Sequence, residues 1–328
     1  MSKSKDNNIA FSVLKKSLPL IGVVIFTYLI YTTGIEKIFS TFLKFSPLHL
    51  LVVTLVSILA VGIYTLQWQY ILKKQTKINF FQTLKVFLIG CFYASISPGY
   101  LAQHIRIVYL KKVTKEPYGK LFTGSIIIAV INIFAIYIMA VLGSLLLIER
   151  YPSIFYTAVI SIIIFTLVLL YFIKKERGER FFQLLIKFFV PKKTRDKFEN
   201  FIGTLYSDFP DTKDFFIPLM LGFLVLFIIY SQFYVLATSL GINIPFIVFI
   251  FLYPIATATS LLPIAPAGLG TREATIVLLF SLYGIPAELS LVLSLTSYLI
   301  YDFLYGICGL IVLSVETYRD KSAQANSL

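Results

Sequence analysis

An adjacent Arg272-Glu273 pair and a solitary Asp302 are the residues whose types and setting point to chemistry. No charge separates Asp214 from Arg272, and Asp302 is the only one between Glu288 and Glu316. A charge near the centre of a bilayer costs roughly 2.5–3.5 kcal/mol, so such side chains face a protein interior or a wet cavity and mark a functional site by default. Arg272 could present a planar fork to a lipid phosphate, aided by the N-terminus of a helix starting there. The competing reading is an internal ion pair that closes a hairpin. Neighbouring residues on a helix point about 100° apart, so Arg272 and Glu273 are not expected to pair with each other. Asp302 is expected to pair with Arg272 inside the bundle or to take up a proton during transport.

Two further groups of residues interrupt apolar sequence. In Ile264-Ala-Pro-Ala-Gly-Leu-Gly-Thr-Arg-Glu-Ala274, Pro266, Gly268 and Gly270 break the helix just before Arg272. Earlier, Ser97-Pro98-Gly99 predicts a turn followed by His104 and Arg106, which either greet a headgroup or mark the membrane boundary; the boundary reading is preferred for His104. Asn132 is expected to hydrogen-bond another helix, and His49 to be interfacial. Cys91 and Cys308 read as small buried hydrophobes. No Asp-x-Asp metal motif, nucleotide-binding glycine loop or His/Cys cluster occurs, so neither a catalytic site nor a cofactor or metal is expected.

These residues must be positioned by helices in a membrane. Of the 328 residues, 58% are hydrophobic and 14% charged, with a mean hydropathy of +0.86. Charge-free runs recur at 17–33, 50–72, 86–103, 121–148, 151–173, 215–240, 246–271 and 289–301. Crossing a hydrocarbon core of about 30 Å takes roughly 20 residues, so the class is an all-α polytopic membrane protein. The formal net charge of +13 does not signal nucleic acid. Placing 1–16, 73–85, 99–120, 174–214 and 319–321 in the cytoplasm gathers 25 of the 29 Lys and Arg there. That bias follows the positive-inside rule and suits contact with anionic headgroups. Lys15 and Lys16 precede an apolar stretch that resembles a signal peptide, but Tyr31-Thr-Thr-Gly34 is a poor cleavage site, so a retained first span is expected.

The charge tally also bears on the shorter runs. If 86–98 crossed completely, 99–120 and 174–214 would lie outside with 15 Lys and Arg. A re-entrant hairpin avoids this, with arms of 86–97 and 100–110, each about 18 Å long. A second hairpin, 246–264 and 272–283, enters from the opposite face. Aligning Pro98 with Pro266 also aligns Leu101 with Leu269, His104 with Arg272 and Leu110 with Leu278. The expectation is one transmembrane domain of six full spans plus two re-entrant helical hairpins arranged as an inverted repeat, the pattern that points to a transporter site. Its halves are 17–173 and 215–317, with both termini cytoplasmic in the cell membrane. The amphipathic connector 174–214 predicts an interfacial helix through 181–190, stopped by Pro191, then a short polar helix; a plain linker is the alternative.

Pro266-Ala-Gly-Leu-Gly-Thr-Arg-Glu-Ala274 resembles the membrane domain of the lysylphosphatidylglycerol synthases and its stand-alone UPF0104-type relatives, whose signature is close to Pro-Gly-Gly-Leu-Gly-x-Arg-Glu. Ser97-Pro98-Gly99 with Arg106 is similar to an earlier family motif, Pro-x-x-x-Gly-Glu-x-x-Arg. The chain departs from the family in having Ala102-Gln103 for Gly-Glu, only Asn132 where a charged pattern is usual, and Asp302 near where an Arg is frequent. The soluble transferase domain of the synthases is not expected in it. The resemblance implies a lipid-flipping unit. The expected partners are membrane lipids with an anionic or lipid-linked headgroup, and not nucleic acid. The expected headgroup site comprises Arg272, Glu273, Gly268, Gly270, Pro266, Arg106, Pro98, Gly99, His104 and Asp302. The rival is an integral-membrane transferase, or an accessory subunit to a membrane-bound synthase or glycosyltransferase.

Overall fold

The computed structural model describes residues 24–189, 195–207 and 212–325, and among these every regular element is helical. The start of the expected first span, Pro191 and the basic residues 1–16 lie outside them. The helices are α1 Val24–Thr33, α2 Ile35–Phe42, α3 Pro47–Gln75, α4 Phe80–Ser95, α5 Arg106–Thr114, α6 Tyr118–Leu145 and α7 Pro152–Ile173. They continue with α8 Lys175–Phe189, α9 Arg195–Ser207, α10 Phe216–Ser239, α11 Phe246–Ser260, α12 Thr271–Ser281, α13 Ala287–Tyr298 and α14 Leu304–Ala325. Among the described residues, five stretches are long and apolar enough to cross a membrane: α3, α6, α7, Lys213–Ser239 and Ala287–Tyr318.

Proline sets many of these boundaries. Pro47 and Pro152 are the first residues of α3 and α7, while Pro117, Pro245 and Pro286 directly precede α6, α11 and α13. At a helix start the missing N–H is no loss and the fixed φ is already helical. Gly241 and Gly284, at φ 77° and 71°, turn the chain out of α10 and α12. Helix α4 begins at Phe80, earlier than the charge pattern suggests, because Asn79 and Gln82 cap it reciprocally. The Gln82 amide donates to Asn79 Oδ1 (2.9 Å) and the Asn79 amide to Gln82 Oε1 (3.1 Å).

The chain divides into two compact units, to both of which α3, α4 and α10 contribute. One takes residues through Leu59, 88–103 and 227 onward; the other takes 60–87 and 104–226. In the first, Tyr230, Phe233, Phe249, Tyr253 and Phe280 form a buried aromatic core with neighbouring ring centroids 4.9–6.4 Å apart. Gly306 and Gly309 let α14 approach α4 closely: a methyl at Gly309 would overlap the Leu88 carbonyl. The last span is not a plain α-helix, as its hydropathy suggested. Leu299–Phe303 forms a π-helical turn between α13 and α14, centred on the charged part of the span.

The second unit packs Trp68, Ile71 and Leu72 of α3 with Val86, Leu110, Leu121 and the 127–131 face of α6. Gln67 stitches three helices, donating to Asn132 Oδ1 (2.8 Å) and to the Pro218 carbonyl (2.7 Å). The interhelical hydrogen bond expected of Asn132 is therefore present. In the connector, α8 starts at Lys175, six residues before its expected apolar stretch, and buries Ile186 against Ile202 and Tyr206 of α9. Helix α9 in turn packs on α6, where Thr123 donates to the Leu205 carbonyl (2.5 Å). Cys91 and Cys308 correct one expectation: both are partly exposed rather than buried.

Candidate functional site

The helix breaks at Pro98 and Pro266 meet. The two residues form an isolated antiparallel β-bridge, and the Ala267 amide donates to the Ser97 carbonyl at 3.2 Å. Each proline is followed by two left-handed residues: Gly99 and Tyr100 at φ 55° and 58°, Ala267 and Gly268 at φ 46° and 71°. That conformation is unusual for residues with a Cβ and persists where surrounding contacts hold it. One such contact runs between the turns, where the Tyr100 hydroxyl donates to the Ala267 carbonyl (3.1 Å). Gly268 is required twice over, since any Cβ there would also overlap Ser260. Thr259 and Thr275 hydroxyls, 3.0 Å apart, tie α11 to α12 below the turn.

Helix α12 starts immediately after this turn and delivers the charges. Arg272 and Glu273 are 6% and 0% exposed, and Asp302 8%. Glu273 folds back over the helix start, where its Oε2 accepts from the Gly270 amide (2.6 Å). Its Oε1 accepts from Arg272 Nε (3.2 Å) and Nη2 (3.0 Å) and from the Ser294 hydroxyl (2.9 Å). Arg272 Nη1 reaches Asp302 Oδ2 at 3.3 Å, and its Nε also donates to Ser294 Oγ (3.2 Å). The guanidinium lies 5.5 Å from the centre of the Tyr298 ring.

Two of the expectations about these residues are decided by this geometry. Arg272 and Asp302 do pair across 30 positions of sequence. The expectation that Arg272 and Glu273 would not pair is overturned. A 100° offset fixes only the directions of the two Cβ atoms; both long side chains lean toward the helix N-terminus, and the Gly270 amide holds the carboxylate where the guanidinium reaches it.

Pro98, Gly99, Pro266, Gly268, Gly270, Arg272, Glu273 and Asp302 thus belong to one unit, and His104 and Arg106 to the other. Those two share Ser125. Its hydroxyl lies 2.9 Å from His104 Nδ1 and accepts from Arg106 Nε and Nη2, both at 3.2 Å. The buried Arg106 guanidinium stacks 4.0 Å from the centre of the Trp68 ring. Ser294, Ser125, Gln67 and Tyr100 were not foreseen. Ser290, Ser294 and Ser297, spaced four and three residues apart and all buried, form a polar stripe on α13 that was open to a periodicity reading. Tyr100 carried no such signal among the many aromatic residues.

The sequence matches over nearly all of this architecture. It is similar to a UPF0104 membrane protein of Methanocaldococcus jannaschii, 22% identical over 299 residues that cover 86% of this chain and 89% of that one. It is also similar to a UPF0104 membrane protein of Methanothermobacter thermautotrophicus, 20% identical over 317 residues, covering 89% and 92%. Residues 18–309 match the family described as the lysylphosphatidylglycerol synthase TM region. With that match running from α1 into the last apolar stretch, the chain belongs to this family and is a multi-pass membrane protein.

Proposed function

We propose that the protein transports lipid, moving an anionic or lipid-linked headgroup between leaflets of the cell membrane while the tails stay in the bilayer. In this reading α4–α5 and α11–α12 are re-entrant hairpins entering from opposite faces, as an inverted repeat with both termini cytoplasmic. Helices of 16 and 15 residues, α4 and α11, are about 24 and 22 Å long, short of a full crossing. Non-helical backbone at membrane depth is tolerated where it is buried in protein or lines a wet cavity. The observation that carries the reading is the pairing of Pro98 with Pro266 beside a buried Arg272-Glu273-Asp302 cluster. Two interrupted segments meeting at a charged centre are how transporters build a midplane site. A headgroup that reaches this centre has to part the paired turns.

The test is leaflet reversal of a fluorescent phosphatidylglycerol in liposomes carrying the parent protein or Arg272→Ala. The parent is expected to accelerate reversal and the variant to fall to the protein-free rate. Equal rates for both would dismiss the site, and chemical modification of the headgroup without reversal would favour a transferase.

A further inference from the structure

Charge bookkeeping at the Arg272 cluster leaves a remainder. One guanidinium faces two carboxylates, all three nearly inaccessible, and among the described residues the ion pairs of Glu273 and Asp302 are both to Arg272. Among the described residues, the other titratable groups that face the cluster are phenols: Tyr100 from the turn after α4, Tyr253 from α11 and Tyr298 from α13. On the π-turn's own helix, Tyr301 and Tyr305 lie ring to ring, 5.1 Å apart. Fully ionised, the cluster therefore carries one uncompensated negative charge in a place where water cannot solvate it.

The two carboxylates are not equivalent. Glu273 accepts from four donors and caps α12, so its charge is fully engaged. Among the described residues Asp302 has only two partners, the Tyr100 hydroxyl and the Nη1 edge of Arg272, and the second is the longest contact of the set at 3.3 Å. It also sits in a π-turn, an irregularity that recurs at functional sites. A phosphate arriving at the guanidinium would need that same Nη1 edge. With Asp302 ionised it would raise the excess to two negative charges. With Asp302 protonated, the headgroup simply takes the place of the carboxylate.

Building on the transport reading, we propose that Asp302 and an anionic phosphoryl headgroup compete for the Nη1 edge of Arg272, so that each headgroup bound brings one proton onto Asp302. The proton comes from solvent to the displaced carboxylate, no heavy-atom bond changes, and release of the headgroup returns it. Linkage makes the coupling reciprocal: acid tightens headgroup binding, and the headgroup raises the proton affinity of the cluster.

The experiment is calorimetric binding of a short-chain phosphatidylglycerol to the purified full-length protein across about pH 5 to 8, in pairs of buffers with different ionisation enthalpies. The parent is expected to take up one proton per lipid and to gain up to about tenfold in affinity per unit fall in pH. Asp302→Asn is expected to bind at the parent's acid-limit affinity with no pH dependence, and Arg272→Ala not to bind. Proton uptake of zero by the parent, or an unchanged pH slope in Asp302→Asn, would overturn the coupling while leaving Arg272-dependent lipid binding, and so the transport reading, in place. A parent that binds no lipid at any pH would overturn both. Because proton uptake is read on the parent alone, the proposal is decided even if the variants fail to fold.

Discussion

Ions removed from water each cost several kcal/mol, and here the cost is offset by hydrogen bonds rather than solvent. Glu273 alone receives four. Removing the cation would strand two buried carboxylates, so Arg272→Ala is expected to lower stability by roughly 3–5 kcal/mol, read as thermal unfolding in detergent. Arg272→Lys keeps the charge but has no planar fork to serve Glu273, Ser294 and Asp302 together, and is expected to fall between parent and alanine variant. Equal stability of all three would mean the cluster is solvated. The sequence exposed Arg272 and Asp302 because single charges in long apolar runs have few alternatives to each other. It hid the Glu273 contact, because spacing specifies where a side chain leaves the helix and not where a long one ends. Ser294 was hidden for a different reason: serine is common in membrane helices, and its role depends on which helix faces it.

At the scale of elements, proline and glycine made most boundaries readable, since their backbone restrictions act locally whatever the surroundings. The breaks at Pro98 and Pro266 were legible in this way; the bridge between them was not, being a contact between residues 168 apart in sequence. The π-turn at Leu299–Phe303 was equally invisible, because the residues around Asp302 fit a regular helix by hydropathy. The turns impose a specific asymmetry between neighbours. Gly268→Ala is expected to destabilise strongly, as the methyl would strain φ 71° and overlap Ser260. Ala267→Gly relieves a left-handed alanine at φ 46° but loosens the unfolded chain, and is expected to change stability by less than about 1 kcal/mol. Similar unfolding temperatures for the two variants would show that the turn is not held as described.

For the whole molecule, the distribution of Lys and Arg suggested the orientation, and the membrane class followed from apolar length alone. The first span remained harder to judge, because its short apolar stretch resembles a signal peptide. If α4–α5 is re-entrant, cysteines replacing Lys77 and Lys115, which flank it, lie on the cytoplasmic face, and those replacing Lys44 and Arg150 on the other. An impermeant maleimide added to intact cells is expected to label the second pair and to label the first only after lysis. Labelling of Lys77→Cys and Lys115→Cys on opposite faces would make 80–114 a full crossing and remove the hairpin. The most direct test of the account asks whether the paired turns must separate for lipid to pass. Residues facing across an antiparallel bridge have Cα atoms about 4.5–5.5 Å apart, within the disulfide range. With Cys91 and Cys308 replaced by alanine, Pro98→Cys combined with Pro266→Cys is expected to lock the turns on oxidation. The measurement is the leaflet-reversal rate in liposomes before and after reduction: the account predicts arrest in the oxidised protein and recovery on reduction, and reversal at the same rate in both states would contradict it.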